Sequence, residues 1–398
     1  MDVEPEGGAS MRVWLALAVG ICLCWPLAAR GTGAAGAQAE QAEAAQAGIA
    51  PAPQVEALGG ILIERESGRV LWAQDPDRML PMASTTKVMT ALLTLENCSL
   101  DEVVTASARA SGVPGTSLYL GVGEQLTVEQ MLLGLMLHSG NDAAVALAEH
   151  ISGTVEDFAL LMNRRAAELG AQAHFVTPNG LDAEGHVASA RAMALIANEA
   201  MDFPAFRRLV ATQQATLPWR DSPYNRVLTN KNKLLSTYPG TTGVKTGFTQ
   251  KAGRCLIFSA QREDMELLGV LLNCGGWFQD AAALMDWGFG NYAMENFLCA
   301  GQRTGQVPVT GGMEGAVWAV APTRLRAPVG AGEQAELIVE TQTNLTAPVA
   351  AGLPVGRAQV IVEGQVVAQR VLVAEKAIPQ RTFGAALESV IRHFNPAA

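Results

Sequence analysis

Apolar residues recur at helical spacing in several segments of this chain. Val88, Ala91, Leu92 and Leu95 repeat at intervals of three and four residues, and the positions between them are also largely apolar. This pattern predicts a buried helix that begins near Ser84. The same spacing predicts further helices over 131–137, 142–151, 155–169, 188–201 and 281–292.

Short apolar runs bounded by turn residues predict β-strands elsewhere in the chain. Runs at 57–64 and 69–73 flank Glu66-Ser67-Gly68, which predicts a β-hairpin that leads into the first helix. Three strands at hairpin intervals are predicted at 244–249, 256–260 and 267–272, and four Val-rich strands of a small all-β domain at 316–321, 335–341, 358–363 and 365–373.

The first part of the chain has the pattern of a targeting segment. Met11-Arg12 is followed by an apolar run over 13–27 and then by small residues. This order predicts a secretory signal peptide over 1–37, with cleavage near Ala35-Gly36-Ala37. A single membrane anchor is the alternative, although the apolar run is short for a full span. Residues 38–53 are rich in Ala, Gln and Glu and predict a flexible lead-in.

The last residues of the chain predict an amphipathic helix over 382–398. Its apolar side chains share one face because they recur at helical spacing. Such a helix could lie on the outer face of the cytoplasmic membrane or dock on its own β-domain, and the pattern leaves both alternatives open. The apolar stripe consists of Phe383, Leu387, Val390, Ile391 and Phe394.

Charge and cysteine content exclude some classes of function. The net charge of −10 and the absence of Lys/Arg runs argue against a nucleic-acid-binding protein. The spacing of the cysteines and histidines matches no metal motif, so neither a metal nor a cofactor is expected. Outside the leader, the cysteines could form disulfides or remain free thiols. They are Cys98, Cys255, Cys274 and Cys299.

Ser84 and Lys87 are a candidate nucleophile and base. They are three residues apart at a predicted helix start, so their side chains lie one turn apart on one face. A serine hydroxyl becomes a good nucleophile when a neighbouring base removes its proton. Burial, a helix N-terminus and a second cation would each favour the neutral lysine that this requires. The alternative is a helix-capping serine beside a surface lysine.

Two further short motifs follow in the chain. Ser139-Gly140-Asn141 lies in a turn between two predicted helices, where side chains can face a cleft. Lys245-Thr246-Gly247 lies in a predicted strand. A glycine within a strand marks the close approach of another backbone. We expect that backbone to be a substrate lying along the strand edge.

Together the three motifs resemble those of the penicillin-recognising serine enzymes. More closely, the chain is similar to the low-molecular-mass penicillin-binding proteins of the D-alanyl-D-alanine carboxypeptidase family. The resemblance implies an α+β fold of the β-lactamase/transpeptidase type, with an antiparallel sheet flanked by helices. It also implies a serine peptidase domain over 54–300, a small β-sandwich domain over 307–380 and the C-terminal helix.

The resemblance implies a role for each motif residue. Ser84 would attack the peptide carbonyl and Lys87 would accept its proton, while Ser139 and Asn141 would relay protons and hold the substrate amide. Lys245 would polarise this network. The terminal carboxylate would bind Thr246, and the backbone N–H groups of Ser84 and Phe248 would form the oxyanion hole. The expected catalytic residues are Ser84, Lys87 and Ser139, and the expected substrate-binding residues are Asn141, Lys245, Thr246, Gly247 and Phe248.

The function implied is that of a serine-type D-Ala-D-Ala carboxypeptidase acting on peptidoglycan stem peptides, with β-lactams as acylating inhibitors. Alternatives are a β-lactamase or endopeptidase of the same fold, or a non-catalytic wall-binding or penicillin-sensing protein. The expected location is outside the cytoplasm, at the outer face of the cytoplasmic membrane or the cell wall. Glu266 stands where the family often has an arginine for the substrate carboxylate, which implies weakened carboxylate binding.

Overall fold

A computed structural model describes residues 48–220 and 222–384. These residues form two compact units, one of 50–65 and 70–290 and the other of 48–49, 66–69 and 291–384. The predicted signal peptide, residues 38–47 of the lead-in and nearly all of the predicted C-terminal helix lie outside the described residues.

The larger unit contains a five-stranded antiparallel sheet with strand order β2-β1-β11-β10-β9, so β9 is an edge strand. The predicted hairpin is present as β1 and β2. Three two-stranded ribbons, β3-β4, β5-β6 and β7-β8, lie outside this sheet. The strands of this unit are β1 (Gly59–Glu64), β2 (Val70–Gln74), β3 (Val103–Thr105), β4 (Gln125–Thr127), β5 (Ala173–His174), β6 (Val187–Ala188), β7 (Gln214–Leu217), β8 (Arg226–Thr229), β9 (Thr241–Thr249), β10 (Gly253–Arg262) and β11 (Met265–Leu272).

Helices flank the central sheet, as the resemblance implied. All residues of β1 and all but one of β11 are buried, which explains why these strands have nearly continuous apolar sequences. The helices are α1 (Lys87–Asn97), α2 (Ala108–Ser111), α3 (Val128–Leu133), α4 (Asn141–Ser152), α5 (Val155–Glu168), α6 (Ala190–Met201), α7 (Pro204–Ala211), α8 (Leu234–Thr237) and α9 (Trp277–Asn291).

Two helical segments differ from the predicted pattern. The predicted helix near Ser84 is a short 3₁₀ turn, Ala83–Thr86, followed by α1. The predicted helix over 131–137 is the end of α3 followed by a π-helical segment, Gly134–His138. The chain leaves this segment at Ser139, whose backbone is left-handed. Within the described residues, no helix is long and apolar enough to cross a membrane.

The smaller unit is built of β-strands over 292–374 and has its own hydrophobic core. Its main sheet has six strands in the order β16-β18-β19-β14-β13-β17, and β12 pairs with β15. The Val-rich strands predicted from the sequence are present here, whereas β12, β13, β15 and β17 were not predicted. The strands are β12 (Tyr292–Leu298), β13 (Arg303–Thr310), β14 (Ala316–Val320), β15 (Leu325–Gly330), β16 (Ala335–Thr341), β17 (Leu345–Thr346), β18 (Pro354–Val362) and β19 (Gln365–Ala374).

Candidate active site

Ser84 lies in a tightly held turn at the start of α1. The preceding residue, Ala83, has a φ of 47°, a left-handed conformation that is strained for a residue with a side chain. The Thr85 hydroxyl donates to Met82 O at 2.5 Å, and the Thr86 hydroxyl donates to Ala83 O at 2.8 Å. These bonds fix the turn so that the Ser84 side chain lines a cleft.

Lys87 is fully buried and contacts the nucleophile. Its Nζ lies 3.0 Å from Ser84 Oγ, 2.8 Å from Asn141 Oδ1 and 2.6 Å from Asn179 O. The alternative of a surface lysine beside a capping serine is therefore wrong. The Ser84 and Lys87 side chains meet across one turn, as their spacing predicted.

The surroundings of Lys87 favour its neutral form. Burial lowers the pKa of Lys87 well below 10.5, and the charges of Lys245 and Lys231 lower it further, while Asp142 opposes them. Lys245 is also fully buried, and its Nζ donates to Thr246 O at 2.9 Å. Burial, followed by the charge of Lys231, lowers the pKa of Lys245 to about 7. Burial and neighbouring lysine charges thus disfavour protonation of both buried amines.

A loop at 177–181 forms the floor beneath the nucleophile turn. Asn179 O is a partner of Lys87, and Pro178 O accepts from the Thr90 hydroxyl at 2.6 Å. Gly180 has a φ of 82°, and a Cβ there would lie 1.9 Å from Ala83 O. A glycine is required at this position because both the backbone conformation and the close approach exclude a side chain.

His186 supports the same turn from behind. Its Nδ1 accepts from Val176 N at 2.9 Å, so the neutral ring carries its proton on Nε2, 2.9 Å from the Thr86 hydroxyl. Burial lowers the pKa of His186 to about 4, with a smaller effect from His174. A neutral His186 therefore orients Thr86, which in turn holds Ala83.

Ser139 and Asn141 lie where the chain turns from the π-helical segment into α4. Ser139 has a φ of 69° and is almost completely buried, yet it lines the cleft. Asn141 Oδ1 accepts from Lys87, and its Nδ2 donates to Pro114 O at 2.7 Å. The orientation of this amide is therefore set by one partner at each end.

Asp142 holds the neighbouring loop in place. Its carboxylate is fully buried and accepts hydrogen bonds from the Ser117 hydroxyl at 2.7 Å, from Leu118 N at 3.0 Å and from Leu120 N at 3.1 Å. This residue was not among those predicted from the sequence. It fixes one wall of the cleft relative to the N-terminus of α4.

The Lys-Thr-Gly motif lies on the edge strand β9. Thr246, Gly247 and Phe248 line the cleft, and the Phe248 side chain is 62% exposed. A Cβ on Gly247 would lie 2.9 Å from Ser84 N. The predicted close approach of another backbone is confirmed, but that backbone is the nucleophile turn rather than a substrate.

The cleft brings the three motifs together. It has a volume of about 1450 Å³ and lies entirely within the larger unit. Of the residues predicted from the sequence, Lys87, Asn141 and Lys245 are buried and do not line the cleft. Lys87 contacts Ser84 Oγ, Lys245 donates to Thr246 O, and Asn141 contacts Lys87. Five predicted residues line the cleft, namely Ser84, Ser139, Thr246, Gly247 and Phe248.

The sequence analysis missed several side chains of this cleft. Arg254 lies opposite Phe248 in the β9-β10 ladder, and its Nη1 donates to Gly275 O at 2.8 Å. The sequence did not show that the loop after β11 would close the cleft beside Arg254. The other missed lining residues include His138, Lys231, Trp277 and Phe278.

Glu266, which the resemblance placed where the family often has an arginine, is paired with two arginines in the structure. Its carboxylate accepts from Arg65 Nε at 2.9 Å and from Arg207 Nη1 at 2.8 Å, and from the Thr242 hydroxyl at 3.2 Å. It does not line the cleft. Two arginines compensate its charge at the far end of β9, so it leaves the cationic character of the site unchanged.

Comparisons with known proteins agree with this geometry. Residues 45–275 match the family model described as D-alanyl-D-alanine carboxypeptidase, and residues 292–380 match the one described as penicillin-binding protein 5, C-terminal domain. The chain is 31% identical over 341 residues to D-alanyl-D-alanine carboxypeptidase DacF of Bacillus subtilis, covering 82% of this chain and 87% of that protein. It is 32% identical over 352 residues to DacA of Escherichia coli, covering 83% and 86%. The crystal structure of penicillin-binding protein 5 from Haemophilus influenzae matches with a TM-score of 0.72 and 29% identity, covering 84% of this chain and 100% of that one.

Proposed function

Because this chain belongs to the D-alanyl-D-alanine carboxypeptidase family, we propose that it removes the terminal D-alanine of peptidoglycan stem peptides through an acyl-enzyme on Ser84. Penicillin and other β-lactams would acylate the same hydroxyl. The observation that carries the proposal is the set of hydrogen-bond partners around Lys87 Nζ.

Lys87 can act as a base for Ser84 in its neutral form. Asn141 Oδ1 and Asn179 O can accept hydrogen bonds but cannot donate them, so a neutral amine gives its two N–H groups to these oxygens. Its lone pair is then left for the third partner, Ser84 Oγ, which has a proton to give. The same three contacts that bury Lys87 therefore direct its basic electron pair at the nucleophile.

The reaction follows from this arrangement. Ser84 Oγ attacks the carbonyl carbon of the penultimate D-alanine while its proton moves to Lys87 Nζ. The backbone N–H groups of Ser84 and Phe248 hold the oxyanion, a donor pair whose members each typically contribute about 10²–10³ in rate. The C–N bond then breaks, and the proton passes to the amine of the departing D-alanine. Water finally hydrolyses the Ser84 ester and restores the hydroxyl.

Ser139 and Lys245 complete the proton path in this proposal. The left-handed backbone at Ser139 directs its hydroxyl at the cleft, where it would carry the proton from Lys87 to the leaving amine. Lys245 belongs to the edge strand β9 and its side chain is buried. After burial, the charge of Lys245 is the second largest cause of the lowered pKa of Lys87. Its role is therefore to keep Lys87 neutral as well as to polarise the Ser139 hydroxyl.

A carboxypeptidase substrate ends in a free carboxylate, so the cleft needs a cation in reach of it. Arg254 faces Phe248 across the β9-β10 ladder and therefore shares a sheet face with Thr246. Both residues line the cleft. We assign the terminal carboxylate to the Thr246 hydroxyl and the Arg254 guanidinium, which the Gly275 carbonyl holds in position.

The test measures both D-alanine release from a peptide that ends in D-Ala-D-Ala and the intact mass after exposure to penicillin. We expect wild-type protein to release D-alanine and to gain the mass of one penicillin, and Ser84→Ala to do neither. Ser236→Ala, which removes another hydroxyl lining the cleft, serves as the matched control and should behave like wild type.

Each other outcome contradicts a defined part of the proposal. A penicillin adduct on Ser84→Ala would mean that another residue is the nucleophile. An adduct without D-alanine release would favour a penicillin-sensing protein, and rapid release of hydrolysed penicillin would favour a β-lactamase. Cleavage of peptide cross-links without release of free D-alanine would favour an endopeptidase.

We propose that the protein acts outside the cytoplasm, at the outer face of the cytoplasmic membrane next to the cell wall. The predicted signal peptide over 1–37 and the stripe of the predicted helix over 382–398 support this location. Deleting residues 382–398 should move the protein from the membrane fraction to the soluble fraction. The anchor proposal fails if the truncated protein stays with the membrane, or if the full-length mature protein is already soluble.

A further inference from the structure

Three side chains that bind metal ions in other proteins lie together in the larger unit, outside the cleft. Cys98, Glu102 and His150 each offer one ligand atom, and these three atoms lie within 4.8 Å of one another. The linear spacing of cysteines and histidines gave no expectation of a metal site, because His150 is far from Cys98 in the sequence. We propose that this cluster binds one Zn²⁺ ion.

The donor set suits zinc. Thiolate sulfur, imidazole nitrogen and carboxylate oxygen are the three protein ligand types of Zn²⁺, and three protein ligands with one water form a common four-coordinate arrangement. His150 Nε2 and Glu102 Oε2 are 3.3 Å apart, which matches the separation of roughly 3.3 Å between two tetrahedral ligands at about 2.0–2.1 Å from the metal. Mg²⁺ and Ca²⁺ prefer all-oxygen sites, so the sulfur and nitrogen ligands disfavour them.

The surrounding backbone holds the three ligands in place. Glu102 Oε1 accepts from Ser99 N at 2.6 Å, and the Glu102 carbonyl accepts from Val128 N at 2.8 Å. Cys98 directly follows α1 as its C-cap residue, and its backbone N–H donates to Thr94 O at 2.9 Å. The second carboxylate oxygen and the imidazole face each other from the loop and from α4. Zinc binding would therefore require small side-chain movements rather than refolding of the segment.

The position of the cluster indicates what the ion would do. Cys98 follows the last residue of α1, whose first residue is Lys87, and His150 lies in the last turn of α4, whose first residue is Asn141. The two helices already meet at their first residues through the bond between Lys87 Nζ and Asn141 Oδ1. Zinc would join their other ends and so stabilise the unit without contacting the cleft. This inference does not depend on the proposed function.

The experiment titrates the purified, reduced and metal-free protein with Zn²⁺, and separately with Co²⁺ as a spectroscopic probe. The protein used is the mature chain without the predicted signal peptide over 1–37, so Cys22 and Cys24 contribute no thiol. We expect one Zn²⁺ per chain, a thiolate-to-Co²⁺ charge-transfer band, and a higher melting temperature in the presence of zinc. Cys98→Ser and His150→Gln should each weaken binding at least tenfold and remove the increase in melting temperature.

Matched controls separate this site from accidental metal binding. Cys299→Ser removes an exposed thiol of the smaller unit, and His174→Gln removes an exposed imidazole of the larger unit, so neither should change zinc affinity. Metal-free melting of each variant shows that it folds. The proposal is overturned if zinc does not bind stoichiometrically, if Cys98→Ser and His150→Gln bind as tightly as the controls, or if only Cys98→Ser weakens binding.

Discussion

Arg226 and Lys87 are both buried cationic side chains of the larger unit, but their partners differ. Arg226 forms a two-pronged ion pair with Glu124, at 2.7 and 2.9 Å, and also donates to the carbonyl oxygens of Leu118 and Pro218. Lys87 has two neutral acceptors and a hydroxyl as partners. Within the part of the chain that the structure describes, neither Lys87 nor Lys245 forms an ion pair with a carboxylate.

The difference separates a structural charge from a reactive one. A guanidinium does not lose its proton in proteins, so a buried arginine requires a carboxylate and several acceptors, which Arg226 has. A buried amine can instead become neutral, and neutral acceptors together with a second amine favour that state. The Arg226 site therefore holds the loop at 118–124, whereas the Lys87 site keeps a base available.

The largest effect is expected on the rate of acylation when a permanently charged side chain replaces Lys87. Lys87→Arg keeps a cation but removes the titratable amine, so acylation of Ser84 by penicillin should slow by about 10²–10⁴. The time course of adduct formation, followed by intact mass, measures this rate. Lys233→Arg on the exposed cleft rim is the matched control. Acylation of Lys87→Arg at a near-normal rate would move the base to another group.

A large loss of stability is expected when the buried Arg226 loses its charge. Arg226→Gln leaves Glu124 buried without its ion-pair partner, which should cost about 3–5 kcal/mol in the free energy of unfolding measured with urea. The double variant Arg226→Gln/Glu124→Gln should lose less, because it leaves no charge buried.

An exposed ion pair provides the control for this comparison. Arg357 pairs with Glu340 at 2.7 Å, and its side chain is 57% exposed. Arg357→Gln should change the free energy of unfolding by less than about 1 kcal/mol. Equal losses in the single and double Arg226 variants would show that the unpaired carboxylate is not the source of the destabilisation.

Replacing Lys245 is expected to have a smaller effect of opposite sign, an increase in the free energy of unfolding. Its pKa in the folded protein is about 7, below the ordinary value of 10.5, so the unfolded chain binds more protons between these two values. The free energy of unfolding of the wild type therefore rises with pH across this window. Lys245→Met should be more stable than wild type by on the order of 2–4 kcal/mol at pH 6–7, and this gain should shrink as the pH approaches 10.5.

Urea unfolding at several pH values measures the effect of Lys245→Met, with Lys233→Met as the control for loss of a lysine charge. The variant should also lose penicillin acylation, which would make Lys245 a residue that is kept at a cost in stability. A gain that is the same at every pH would reflect packing alone and would contradict the titration of a buried amine.

Local features of this protein were predictable from its sequence because they depend on residues close in the chain. The spacing of Ser84 and Lys87 predicted their contact, and the apolar run at 244–249 predicted the strand that carries Lys245 and Thr246. Gly247 predicted the close approach of a backbone. The sequence did not reveal which backbone approaches, since the neighbouring turn at Ser84 is brought to β9 by the packing of the whole unit.

Features that depend on distant residues required the tertiary structure. Asn179 O contacts Lys87, which lies 92 residues earlier in the sequence. His186 contacts Thr86, which lies 100 residues earlier. The left-handed backbone of Ser139 follows from a π-helical segment that helical spacing cannot distinguish from an α-helix. The ion pairs of Glu266 could not be predicted from the sequence because Arg65 and Arg207 come from distant parts of the chain.

The sequence by itself therefore determined the chemical groups of the site and the order in which the chain presents them, because short-range spacing decides which side chains share a helix turn or a strand face. The tertiary structure alone decided that the pKa of Lys87 is lowered. That shift depends on burial, to which the loop at 177–181 contributes, and on the charges of Lys245 and Lys231, and these groups meet only when the sheet and the helices have packed together.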